Sequence, residues 1–187
     1  MTTRPHFQKV VDDLNRLGCL AEFSPVVIGT PPLGLAIEES DIDIACSALD
    51  LEKFGDTARK HFGQFKTFSL RRFIESDEPA IVATFLNSGW KIELFCQALD
   101  VEKQAGVRNF FCIEQRLLRL EPGLRPEILR LKRGGLKTEP AFAKLLMLQG
   151  APYEPMLALE AKTDGDLRAL TINRARARYR PYRAMTV

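Results

Sequence analysis

Asp41-Ile-Asp-Ile-Ala-Cys46 alternates carboxylates with isoleucines, and no other stretch constrains the chain as tightly. Successive side chains of a strand leave opposite faces, so Asp41 and Asp43 share one face, roughly 6.6 Å apart along the backbone. Ile42 and Ile44 share the other face and can anchor the strand in a core. Two like charges fixed side by side repel unless a positive group lies between them. Taken alone, the pattern equally describes an ordinary strand with one wet face. Trp90-Lys-Ile-Glu-Leu-Phe-Cys96 repeats it, with Ile92, Leu94 and Cys96 on one side and Glu93 on the other. If the two strands are neighbours, three carboxylates meet on one face. Three oxygen ligands on rigid strands suit Mg²⁺, which keeps coordination positions for phosphate oxygens. Two such ions about 3.5 to 4 Å apart can stabilise attacking and leaving oxygens together.

The surrounding periodicities predict an α+β fold, a mixed β-sheet with packed helices followed by a helical C-terminal region. Phe7, Val10, Val11, Leu14 and Leu17 recur at helical spacing and Gly18 ends the run. Pro25 to Thr30 reads as a short buried strand. Leu49 to Phe62 reads as a helix capped near Asp50, with Leu51, Phe54 and Ala58 inward. Phe65 to Ile74, Ala80 to Leu86 and Trp90 to Cys96 read as strands, the last two joined by the turn signal Asn87-Ser-Gly89. Val101 to Leu120 reads as one long helix, followed by helices over 126–131 and 138–148 and a last one that opens at Thr163-Asp-Gly-Asp166 and runs toward Arg180. The expected division is a core over 1–100 and a helical extension over 101–187 that closes a cleft and ends in a basic helix.

Charge follows the same division. Residues 1–100 carry 10 Lys/Arg against 15 Asp/Glu, and residues 101–187 carry 17 against 9. Either an acidic lobe docks on a basic one, or metal gathers at the first half and a polyanion lies between them. Cys19, Cys46, Cys96 and Cys112 are too widely spaced for a zinc knuckle or redox pair and read as buried small hydrophobes. With only His6 and His61 present, histidine-built metal sites and triads have little to draw on. The start of the sequence has no apolar signal segment and no apolar run of membrane-spanning length occurs, so the expectation is a cytoplasmic protein without a membrane.

Glycine lets a chain approach phosphate closely, and a following hydroxyl can hold its oxygens. The apolar run Val26-Val-Ile-Gly-Thr30, a spacer, Ser40-Asp-Ile-Asp-Ile44 and a later apolar-Glu-apolar strand together resemble the DNA polymerase beta-like nucleotidyltransferase superfamily in its minimal form, over roughly residues 20–97. The resemblance implies transfer of a nucleoside monophosphate from a nucleoside triphosphate to a hydroxyl, with release of pyrophosphate. Carried over, Asp41, Asp43 and Glu93 are the catalytic residues and hold Mg²⁺ or Mn²⁺, as two ions, and Glu93 is the group best placed to deprotonate the acceptor. Gly29, Thr30 and Ser40 contact the triphosphate. Pro31 and Pro32 depart from the pattern by removing two N–H donors, and Glu93 stands where aspartate is commoner. Glu114-Gln-Arg-Leu-Leu118, Gly135-Leu-Lys-Thr-Glu-Pro-Ala-Phe-Ala143 and Pro152-Tyr-Glu154 resemble a bacterial family catalogued only as a domain of unknown function and grouped with these transferases.

Candidate triphosphate clamps are Arg72, whose neighbour Arg71 falls on the opposite strand face, and Lys137, with Lys132 and Arg133 nearby. Gln104 and Arg108, four apart, can look into the cleft from one helix face or belong to a polar surface. Trp90 can stack on a base or pack. Arg174, Arg176, Arg178, Arg180 and Arg183 can meet nucleic acid or dock on the acidic half. The acceptor stays open among a small molecule, a protein and RNA. Two other functions fit the same sequence: a catalytically quiet nucleotide- or protein-binding module of regulatory or antitoxin type, working with a partner protein, and a nucleic-acid-binding domain that uses the arginine tail.

Overall fold

The computed structural model describes residues 4–75 and 77–178, with side chains through Thr171. Helix α1, Phe7–Asn15, buries Val10, Val11 and Leu14, and its first turn is capped by His6, whose Nδ1 accepts from the Gln8 N–H. Helix α2, Leu51–Phe62, starts where the Asp50 carboxylate accepts the Lys53 N–H at 3.0 Å, and Arg59, Lys60 and His61 sit at its negative end.

Five strands form one mixed sheet: β1 (Val26–Ile28), β2 (Ile42–Ser47), β3 (Lys66–Glu75), β4 (Glu78–Asn87) and β5 (Trp90–Gln97). Their order is β1-β2-β5-β4-β3, and only β2 with β5 is parallel. Ser88 and Gly89 both have positive φ, 51° and 80°, the two-residue turn whose twist matches a hairpin, as the Asn87-Ser-Gly89 signal suggests. At the outer edge, the β3 register shifts between Lys66 and Ser69, with Thr67 at φ 59°.

One sheet face is sealed. Ile42, Ile44 and Cys46 of β2 and Ile92, Leu94 and Cys96 of β5 are each at most 2% exposed and share a core with Val10, Phe54, Ala58 and Phe62 of the two helices. Phe62 stacks on Phe85 of β4 at 4.8 Å. Burial pushes the Cys96 thiol up to about 12 and raises Cys46 too, and Cys19 and Cys112 are half-buried, so the cysteines serve as packing groups.

Two compact units divide the chain, Met1–Phe110 and Phe111–Val187. The single helix expected over 101–120 is broken. Val101–Lys103 is a 3₁₀ turn, Ala105–Arg108 forms α3, and Asn109–Glu114 is π-helical before α4, Gln115–Leu120. Gln104 causes the first break: its backbone is extended, and its amide donates to the Cys46 carbonyl at 2.8 Å and the Leu99 carbonyl at 3.1 Å. Gln104 is 1% exposed, so it is neither a helix surface residue nor open to a ligand. Val101 and Val107 pack with Ala45, Val26 and Ile28 on the second sheet face, and this segment belongs to the first unit rather than opening the helical half.

The second unit contains α4, α5 (Leu124–Arg133), α6 (Thr138–Leu146), α7 (Tyr153–Leu157) and α8 (Asp164–Arg178). Thr163 and Asp166 form a reciprocal cap at the start of α8: the Thr163 N–H donates to the Asp166 carboxylate at 3.0 Å and the Asp166 N–H to the Thr163 hydroxyl at 3.1 Å. Arg116 donates to Asp164 in the same turn at 2.5 Å. The side chains of Arg174, Arg176 and Arg178, together with Arg180 and Arg183, lie outside the described residues. No helix among the described residues is long and apolar enough to cross a membrane.

Truncating Phe62 removes a fully buried ring from the contact between α2 and the sheet. Phe62→Ala is expected to cost about 3–5 kcal/mol, read as a lower urea midpoint.

Candidate active site

The parallel register of β2 and β5 sets Asp43 directly beside Glu93, and Ile28 of β1 faces Asp43 from the other side. Asp41, one residue before β2, shares their face by alternation, opposite the sealed core. The three carboxylates expected from the sequence therefore do lie on one face of adjacent strands. Among the described residues, however, no three Asp, Glu, His or Cys side chains are gathered as a metal ion requires.

An ammonium stands among them instead. Lys91 Nζ donates to Asp41 Oδ2 at 3.3 Å and to Glu93 Oε2 at 3.5 Å. Partial burial works against the Lys91 charge, but the Asp41 and Glu93 carboxylates outweigh it and hold the lysine above its usual value. With side-chain exposures of 52% for Lys91, 34% for Asp41 and 32% for Glu93, each contact is worth only about 0–1 kcal/mol, so a competing cation can displace the ammonium. Sequence reasoning passed over Lys91, although the alternation that aligns Glu93 with Asp43 also puts Lys91 on that face.

Gly29 has a role that the sequence does not reveal. Its φ is +81°, and a Cβ built there would lie 2.2 Å from Asp43 Oδ2 and 3.2 Å from Asp43 Cγ. The Asp43 carboxylate thus rests against the Gly29 backbone in space that any side chain would take. After it, residues 30–35 make one helical turn closed by the Gly34 N–H on the Pro31 carbonyl at 3.0 Å and the Leu35 N–H on the Thr30 carbonyl at 2.9 Å. Pro31 and Pro32 fill the first turn of this element, where they offer no donors.

Other expected contacts fall differently. Ser40 is 9% exposed, and its hydroxyl accepts from the Ile37 N–H at 2.9 Å, so it shapes the loop before Asp41. Arg72 is a correction. It pairs with Ile81, a core-facing residue of β4, and its guanidinium grips Glu52 of α2 at 3.0 and 2.5 Å. That places Arg72 on the sealed side of the sheet, and its neighbour Arg71, paired with Val82, on the carboxylate side. The hydrogen bond from Arg72 holds the Glu52 carboxyl below its usual value. Lys137 is exposed at the N-cap of α6 in the second unit, where its side chain makes no capping hydrogen bond. Lys132 is buried and donates to Thr138 Oγ1 at 3.2 Å, holding the start of α6. Trp90 is a packing residue: it is 4% exposed, its Nε1 donates to the Pro5 carbonyl at 2.9 Å, and Arg4 covers its ring. Two pockets of about 330 and 390 Å³ lie elsewhere, lined by residues such as Leu51, Arg72 and Ile81 in one and Phe23, Ser47 and Lys53 in the other.

Residues 9–159 match the family described as Domain of unknown function (DUF4269). The chain belongs to that family. No curated protein matches this DUF4269 chain. Among solved structures it is similar to the MgGTP-bound Cid1 poly(U) polymerase, at 16% identity and a TM-score of 0.53, covering 75% of this chain and 47% of that one. It is also similar to a chain of the GLD-2/RNP-8 complex, at 15% identity and a TM-score of 0.52, covering 92% and 77%. The DUF4269 chain spans about half the length of the Cid1 chains it matches. At these identities the likeness is one of fold, a mixed five-stranded sheet with packed helices.

The contact between Gly29 and Asp43 has a measurable consequence. Gly29→Ala is expected to destabilise by about 1–3 kcal/mol through its positive φ and the displaced carboxylate. In a double-mutant cycle with Asp43→Ala, part of that loss should return, giving a coupling of at least about 0.5 kcal/mol in urea unfolding.

Proposed function

We propose that this protein is a metal-dependent nucleotidyltransferase acting on a nucleoside triphosphate. The observation that carries the reading is the register of β2 and β5, which aligns Asp43 with Glu93 and puts Asp41 two residues away on the same face, beside a glycine that admits no side chain. The donor set fits the implied ion. All three groups are carboxylates, hard oxygen ligands that suit Mg²⁺ or Mn²⁺ rather than a thiolate- or imidazole-binding metal. Asp41, Asp43 and Glu93 would hold one or two such ions, which supply charge neutralisation at the phosphates when bound.

The chain's own residues carry the rest of the reading. Gly29 seats the Asp43 carboxylate against its backbone, so a phosphate on the ion held by Asp43 would lie beside Gly29, and Thr30 adds a hydroxyl at the start of the following turn. The acceptor hydroxyl oxygen attacks the α-phosphorus, the bond from that phosphorus to the bridging oxygen breaks, and pyrophosphate leaves. The acceptor proton passes to Glu93, the third carboxylate, or to water. With Asp41 and Glu93 holding the ion, Lys91 would be released from them and free to reach a phosphate oxygen. Arg71 replaces Arg72 as the β3 arginine suited to a polyanion on this face. The acceptor is a hydroxyl of a small molecule, a protein or RNA.

A second reading draws on Lys91 and the proline pair. A site that supplies its own cation and lacks two phosphate donors suits a module that binds a nucleotide or partner protein without turning it over.

The test incubates the purified protein with each of the four nucleoside triphosphates and Mg²⁺ or Mn²⁺, following pyrophosphate release with candidate acceptors and measuring binding in parallel. Because loss of groups one step removed from a metal already costs about 10- to 100-fold, Asp41→Asn/Asp43→Asn is expected to weaken metal-dependent binding by at least about 100-fold. Wild type that binds no triphosphate with metal, or a double substitution that binds as wild type does, sinks the proposal. Binding without pyrophosphate release across the acceptors favours the quiet module.

A further inference from the structure

The loop that delivers Asp41 is not held by the sheet, because β1 ends at Ile28 and β2 begins at Ile42. Its last turn, from Ile37 to Ser40, is closed internally by the Ile37 N–H on the Ser40 hydroxyl and the Ser40 N–H on the Ile37 carbonyl. Those bonds shape the turn without fixing where it sits. Leu33 and Leu35 bury the middle of the loop, and the guanidinium of Arg4 anchors its last turn. It donates to the carbonyls of Ile37 at 2.5 Å, Glu38 at 2.9 Å and Ser40 at 3.0 Å, which takes three acceptors within four residues. The same guanidinium lies 3.5 Å over the centre of the Trp90 ring, and the indole N–H donates to the Pro5 carbonyl at 2.9 Å. The backbone at Arg4 also runs close to the β4–β5 turn, where a Cβ on Gly89 would meet Arg4 Cβ at 3.2 Å.

We propose that Arg4 is a positioning residue of the candidate site, tying the loop that ends at Asp41 to the strand that carries Glu93. Trp90 is the first residue of β5, one before Lys91 and three before Glu93, and Ser40 immediately precedes Asp41. A planar, permanently charged fork with five donors can bridge three carbonyls while stacking on an indole, which a lysine cannot do. Arg4 touches none of the three carboxylates. It acts by setting where Asp41 stands relative to Glu93, and so the inference rests on the reading of those residues as a nucleotide site.

The experiment compares wild type with Arg4→Met, which keeps an apolar stem over Trp90 but loses every donor, and with Arg4→Lys. Three readouts are taken on the full chain: the urea midpoint, hydrogen exchange at the Ile37 and Ser40 amides, and binding of the Mn²⁺ complexes of the four nucleoside triphosphates. Trp90 is the chain's single tryptophan, so its emission reports the contact directly. Arg4→Met is expected to speed exchange at those two amides at least about tenfold, with the core amides of α1 unchanged, and to weaken Mn²⁺–nucleotide binding by about tenfold or more, with Arg4→Lys intermediate. Unchanged loop exchange overturns the proposal. Faster exchange with wild-type nucleotide affinity also overturns it, since Arg4 would then hold a loop that the site does not need. If wild type itself binds no nucleotide, the site reading fails and the positioning role falls with it, whereas the exchange result still decides whether Arg4 anchors the loop. A general loss of the urea midpoint in Arg4→Met with no selective change at Ile37 and Ser40 marks a purely structural contact.

Discussion

β2 and β5 pair in parallel over six residues, and one face of the pair is closed by isoleucine, leucine and cysteine against two helices. That closure leaves the polar members of both strands a single direction in which to point. A one-residue slip of either strand would bury a carboxylate and expose an isoleucine, so the apolar core enforces the register and the register aligns Asp43 with Glu93. The rest of the site is arranged around this pair. Gly29 is bare because the Asp43 carboxylate occupies the space where a Cβ would stand. Lys91 is held between Asp41 and Glu93 because it lies one step along β5 on the same side. The loop before Asp41 is seated by Leu33 and Leu35 and, in its last turn, by Arg4, because the sheet does not reach it.

The alternation in two short strands was enough to read the face shared by Asp41, Asp43 and Glu93, because period-two burial is a local property of the chain. The Asp50 and Thr163 caps were legible for the same reason, each being a side chain bonded to backbone three residues away. What stayed hidden depends on pairing at a distance. Alternation separates Arg71 from Arg72, but only the pairing with β4 says which of them faces Glu52 and which faces the carboxylate side. The helical spacing over 101–120 gave no sign that Gln104 would commit its amide to two carbonyls, one of them 58 residues earlier, and leave the helix to do so. Arg4 carries no periodic signal at all. Lys91 is legible from the same alternation as Glu93, although only the pairing of β5 with β2 brings it to Asp41.

Likeness to Cid1 and to a GLD-2/RNP-8 chain at 15–16% identity fits this division of labour. A sheet with two packed helices asks of most positions only that they be apolar and of suitable volume, and many sequences meet that demand. Constraint tightens where backbone and charge meet, as at Gly29 and Asp43, and there a single methyl group matters.

The irregular start of β3 bears on how this sheet behaves in a crowded solution. β3 is ten residues long and forms an outer edge, with a row of backbone groups that invites another chain to add a strand. The register shift between Lys66 and Ser69 kinks that edge at one end, and Lys66, Arg71, Arg72 and Glu75 place charge along its length. An approaching strand would have to strip water from those charges and match a bent template. The defect at Thr67 therefore works as a guard against aggregation, letting an open-edged sheet stay open.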